Sequence, residues 1–140
     1  MPGAPVIRRG AVLLASFLLT LSACSGNGGP DGPLRPTWNS IHATVIRPHC
    51  AQANCHAGGN VESQLDLSSR DAYTALVNRP SHVVSDWILV IPGNPAESYL
   101  MRKLNGDRIV GERMPQGQPP LPDSVLTVIR KWIAAGAPRK

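Results

Sequence analysis

Between positions 49 and 56 the chain reads HCAQANCH, which puts His49, Cys50, Cys55 and His56 within eight residues. A cluster of this kind supports three chemistries. The thiols can oxidise to a disulfide, the usual outcome outside the cytoplasm. Four residues separate the cysteines, so the sulfurs can meet if the backbone turns. Closing so short a loop contributes about 2–3 kcal/mol on the entropy model, and it makes no use of His56. The same side chains are also zinc ligands by type. Adjacent His-Cys pairs point their side chains apart, however, so His42 or His82 would have to complete such a site. The third chemistry is covalent attachment of a porphyrin, for which the usual sequence is C-x-x-C-H. There two thiols add across two vinyl groups, and the histidine after the second cysteine sets its imidazole beneath the iron. Here the Cys55-His56 adjacency is kept and the loop is two residues longer. The added closure cost is below ~1 kcal/mol, because it grows only logarithmically with length. On these eight residues alone, the alternatives stay open.

A second soft donor stands far along the chain. Met114 lies in Arg113-Met114-Pro115, within a Gly/Pro-rich stretch ahead of the last helical pattern. Its thioether can ligate iron, and Met/His ligation raises a haem potential. The plain reading is a loop methionine packed against the core. Met101, beside Leu100 in a helical pattern, is expected to pack. The other histidines have ordinary expectations: His49 facing solvent beside the loop, His42 exposed on the first helix, and His82 in a loop after Pro80-Ser81.

The elements that must position these residues read as helices. Trp38, Ile41 and Val45 recur at helical spacing, so a first helix is expected over 38–47, stopped by Pro48 just before Cys50. Ser68-Ser69-Arg70-Asp71 reads as a helix start with Asp71 in its first turn. Asn94-Pro95-Ala96-Glu97 reads as a stronger one, with a capping residue, a proline suited to the first position and a glutamate that reaches back. That helix should end at Asn105-Gly106. The clearest pattern is Val125, Leu126, Ile129, Trp132 and Ile133, ending at Gly136. The apolar run 87–91 is expected to be extended. The fold class is therefore all-α, a small helical domain over 37–138. No internal repeat is present. Two long loops, 57–67 and 106–122, are rich in glycine, proline and polar residues, and loops of that length in a compact domain usually serve a function. After position 23 the chain has no phenylalanine and only five Trp and Tyr residues. Such a core is thin, and a bound apolar cofactor would fill it.

The N-terminal part reads as a targeting segment. Arg8 and Arg9 precede the apolar run 11–21, which is shorter than the about 20 residues a membrane-spanning helix needs. Leu21-Ser22-Ala23-Cys24 resembles the lipobox of bacterial lipoproteins, whose cysteine is lipidated and becomes the N-terminus. Residues 1–23 would then be a signal peptide and Cys24 the lipidation site. An odd cysteine in an exported protein needs a reason, and lipid on Cys24 leaves Cys50 and Cys55 as a pair. Ser25 favours outward sorting by the same resemblance. Residues 24–36 form a flexible linker of glycine and proline, spanning roughly 20 Å root-mean-square. Without residues 1–23 the chain has 12 basic and 9 acidic residues, net +3. The basic residues are scattered, with no basic run or aromatic interleaving that would suggest nucleic acid.

Taken together, residues 37–138 resemble a bacterial branch of the cytochrome c family. The likeness is carried by Ile46-Arg47-Pro48-His49-Cys50, the widened C-x4-C-H from Cys50 to His56, and Leu65-Asp66-Leu67-Ser68. It continues through Pro92-Gly93-Asn94-Pro95, Ser98-Tyr99-Leu100, Arg113-Met114-Pro115 and Trp132-Ile133-Ala134-Ala135-Gly136-Ala137. The resemblance implies haem c, with Cys50 and Cys55 as thioether donors, His56 as the proximal iron ligand and Met114 as the distal one. It implies a cytochrome c-like fold with long loops around the haem. The expected function is electron transfer to and from a redox partner protein, by a domain exported to the cell envelope. There a lipid anchor would hold it to the outer or inner membrane, facing the periplasm. A peroxidase-like or ligand-sensing haem protein would instead need a displaceable sixth ligand. The alternative of a different class is a haem-free, disulfide-bonded lipoprotein that binds a partner.

Overall fold

The computed structural model describes residues 33–58, 64–69 and 71–140. The predicted signal peptide, Cys24 and most of the linker lie outside them. Among the described residues 36% are helical and 6% are in strand, the latter only as isolated bridges. The dominance of helix agrees with the fold class expected from the sequence. No helix among the described residues is long and apolar enough to cross a membrane.

The first helical segment runs further than expected. It starts as α1 (Trp38–Ile41), where Thr37 accepts a hydrogen bond from the Ser40 amide at its N-terminus. It widens into a π-helical turn, His42–Ile46, and closes with α2 (Arg47–His49). Proline was expected to stop the helix at position 48. Instead the turn ahead of it is wide, with the Arg47 N–H reaching back to the His42 carbonyl. Pro48 has no N–H to give, and its ring crowds the carbonyl four residues back. A π turn relieves that crowding without ending the helix. The chain then turns at Cys50, where the Cys50 and Ala51 amides share the Ile46 carbonyl at 2.9 Å each.

Helix α3 (Ala72–Leu76) begins after Asp71. Asp71 makes no side-chain cap, and its carboxylate pairs with Arg139 at 3.1 Å instead. Helix α4 (Tyr99–Asn105) starts later than the sequence suggests. Asn94 does accept the Glu97 amide at 3.2 Å, but this closes a turn rather than a helix. Ser98 is the reason. Its backbone is extended, its hydroxyl donates to the Asn94 carbonyl at 2.8 Å, and it accepts the Ile91 amide at 2.9 Å. The amides of Tyr99 and Leu100 then donate to the carbonyls of Ile88 and Leu89, both at 2.9 Å. The run 87–91 thus serves as a cap, besides bridging to Val77 and Pro80. At its other end α4 stops at Gly106, as expected, with φ 77°.

Helix α5 (Asp123–Ala134) buries Leu126, Ile129, Trp132 and Ile133, the apolar face read from its periodicity. The centre of the core is Trp132, Ile129, Ile133, Ile41, Ile46 and Leu76, all at most 2% exposed. Each buried isoleucine contributes roughly 1.5–3 kcal/mol. Trp38 packs on Trp132 and on Tyr73, with ring centres 5.6 Å apart in both pairs. Trp132 Nε1 donates to the Pro138 carbonyl and the Tyr73 hydroxyl to that of Ala137, each at 2.9 Å. Leu34 also packs against this core, so the last residues of the expected linker belong to the domain.

Candidate functional site

The Cys50–His56 loop hangs from the end of α2. The His56 amide donates to the Cys50 carbonyl at 3.2 Å and the Cys55 amide to that of Gln52 at 3.0 Å. Gln52 reaches back to the Pro48 carbonyl at 2.7 Å, closing the loop on its own helix. Asn54 takes a left-handed conformation, φ 67°, which asparagine tolerates better than most residues. The four residues between the cysteines thus form a hydrogen-bonded turn. Cys50 and Cys55 are separate thiols, the first half-buried and the second exposed. Burial, with a smaller push from Cys55 nearby, raises the Cys50 thiol to about 11. His56 is buried, 9% exposed, and its Nδ1 lies 3.1 Å from the Leu65 carbonyl. A carbonyl only accepts, so Nδ1 carries the proton. In the neutral ring, Nε2 then holds the lone pair a metal needs.

Met114 comes from the other long loop. Its amide donates to the Lys103 carbonyl at 2.9 Å, which ties the loop to the last turn of α4. Arg113 brackets the position, donating to the carbonyls of Met114 at 3.1 Å and Gln118 at 2.8 Å. Its stem crosses Gly106 so closely that a Cβ there would sit 3.3 Å from Arg113 Cδ. Lys103 Nζ donates to the Val110 and Glu112 carbonyls and holds the middle of the loop.

One cavity lies between these parts. Cys50, Cys55 and His56 line it together with Met114, Tyr99 and Lys103, and apolar side chains such as Leu67 and Leu104 complete the walls. Its volume is about 170 Å³, and its mouth is open to solvent. Val83 and Val110, the large hydrophobics most exposed to solvent among the described residues, are both lining residues. No family model, curated protein or solved structure matches the chain. Among the described residues no three His, Cys, Asp or Glu side chains gather as metal ligands. The possible donors lining the apolar space are instead two thiols, the Met114 thioether and the imidazoles of His56, His49 and His82. Of these, Cys50, Cys55, His56 and Met114 are the donor types that could hold an apolar group carrying its own metal.

His49 and His82 also line the cavity. His49 is half-buried rather than solvent-facing, because α2 continues through it. His42 departs furthest from expectation. It is 7% exposed, stacked on Trp38 at 5.2 Å, with Nε2 donating to the Leu67 carbonyl at 3.2 Å. Met101 is buried in α4, as expected. The residues that sequence reasoning left without a role are Leu65 and Leu67, Tyr99 and Lys103. The first two act through backbone carbonyls, which no side-chain pattern reveals. Tyr99 accepts the Val110 amide at 3.3 Å and joins α4 to the Met114 loop. It stands within Ser98-Tyr99-Leu100, already marked in the sequence, but without a signal for that contact.

Proposed function

We propose that the chain is a tethered c-type cytochrome, an electron carrier with haem in the cavity described above. The observation that carries this reading is that Cys50, Cys55, His56 and Met114, from two distant loops, line a single apolar cavity. Cys50 and Cys55 would hold the haem as thioethers, with His56 Nε2 and the Met114 sulfur as axial ligands in a cytochrome c-like fold. The haem supplies one-electron chemistry when bound. The chain's own work is to orient and to exclude water. Leu65 holds the His56 ring by its Nδ1–H, which fixes the tautomer and adds basicity at Nε2. The anchored Arg113-Met114-Pro115 segment fixes the thioether. Leu67 and Leu104 line the space with buried hydrocarbon and lower its dielectric, one of the levers on a haem potential. With both His56 and Met114 holding the iron, no position would be open for a substrate, which favours electron transfer to a redox partner protein. The domain would be exported and held by lipid on Cys24, swinging on the linker.

The test is optical. The chain is produced in an exporting host with haem-attachment machinery, beside an ordinary C-x-x-C-H cytochrome as control. The expected product is red, and its haem absorbance survives denaturation and extraction. A colourless product with both Cys50 and Cys55 open to alkylation, in cells that load the control, refutes the reading. Rapid carbon monoxide binding by the reduced wild type would point to a displaceable ligand, and so to a sensor or peroxidase.

A further inference from the structure

We propose that His42 is a positioning residue for His56, acting through the backbone of residues 65–67. Three hydrogen bonds link the two rings. His42 Nε2–H donates to the Leu67 carbonyl at 3.2 Å, the Leu67 amide donates to the His56 carbonyl at 2.8 Å, and His56 Nδ1–H donates to the Leu65 carbonyl at 3.1 Å. The segment between the rings keeps its shape through Asp66, which accepts the Ser68 amide at 2.8 Å and the Ser68 hydroxyl at 2.6 Å.

His42 is itself held by the core. Its ring lies 5.2 Å from Trp38, which packs 5.6 Å from Trp132 on α5. It opens the π turn, and its carbonyl accepts the wide bond from Arg47. The position is 7% exposed, so the ring is withdrawn from water. A buried polar ring is costly unless it is hydrogen-bonded, and the partner here is the 65–67 segment that orients His56. The path therefore runs from the stacked Trp38 and Trp132 rings, through His42 and Leu67, to the Leu65 carbonyl that fixes the His56 tautomer. The restraint on His56 stands without any cofactor, while its effect on a reduction potential rests on the haem reading. A firm Nδ1–H bond makes the imidazole a stronger donor and favours ferric iron. Slackening it raises the potential.

The experiment uses three substitutions in the full chain. His42→Gln keeps a donor of similar reach, His42→Asn has a donor one methylene short, and His42→Leu has none. Nitrogen-proton NMR of the His56 ring is recorded on protein made without haem attachment. Wild type and His42→Gln should show a protected Nδ1–H. In His42→Asn and His42→Leu its exchange should speed by about fivefold or more, the factor that ~1 kcal/mol of lost hydrogen bonding converts to. If both leave the His56 exchange and nitrogen shift unchanged while lowering the melting temperature, His42 is merely structural and the proposal falls. Should His42→Leu fail to fold, the Gln and Asn pair decides. In haem-loaded protein the potential should rise in His42→Asn and return towards wild type in His42→Gln. Normal NMR effects in a chain that never takes up haem would sink the haem reading and leave the positioning role standing.

Discussion

The Cys50 thiol makes a pH prediction that depends on what its sulfur is bonded to. In the folded protein it is raised from 9.0 to about 11, first by burial and then by Cys55. One pKa unit is 1.36 kcal/mol of preference between protonation states. The shift is thus linked to about 2–3 kcal/mol of stability. The native state keeps the proton to higher pH than the unfolded chain does. The stability is therefore fully present below about pH 9, is lost as pH rises to about 11, and falls no further beyond that. Lysine and tyrosine titrate in the same window, so the assay is a difference. Urea unfolding of the reduced, haem-free chain is compared with that of Cys50→Ala at half-unit steps from pH 8 to 11. The gap between the two should change by about 2–3 kcal/mol across the window, with wild type losing more. Cys55→Ser should shrink the change only slightly, since its charge is the lesser cause. A thioether has no proton to lose, so haem-loaded protein should lack this alkaline loss. Parallel curves for the reduced chain and Cys50→Ala would refute the argument, because they would mean that the sulfur is hydrated rather than packed against the cavity.

Other substitutions probe the ligand and its scaffold. Met114→Ala should keep covalent haem, lose the sixth ligand and lower the potential, and an unchanged spectrum and potential would count against Met114. Trp132→Ala removes a side chain with 0% exposure that packs on Trp38, and thermal or urea unfolding should show a loss of about 3–5 kcal/mol. Gly106→Ala forces a Cβ into a left-handed position 3.3 Å from Arg113 Cδ. It should cost about 1–2 kcal/mol and, by moving Arg113, loosen the Met114 loop, measurable as faster exchange of the Met114 amide.

Much of the helical content was legible because its signals are local. The period of α5, from Val125 to Ile133, follows from the turn of a helix, and the stop of α4 at Gly106 follows from glycine's access to positive φ. The Cys50, Cys55 and His56 cluster is legible for the same reason, since its members are neighbours along the chain. Asn94 shows the limit. Its capping chemistry was read correctly, yet the helix waits for Ser98, because the carbonyls of Ile88 and Leu89 take the first amides of α4. No property of residues 94–97 encodes that partner.

His42 is the same lesson at the site. Polar character and helical spacing suggested an exposed face, but the wide turn ahead of Pro48 and the Leu67 carbonyl put it in the interior. Residue type and spacing along the chain determined which atoms are available: two thiols, an imidazole, a thioether, and helices enough to carry them. Only the folded chain decided that Met114 and His56 share one cavity and that Leu65 sets the His56 tautomer. Those facts depend on long-range packing and on backbone carbonyls. Every residue has such a carbonyl, so none announces itself until the chain is folded.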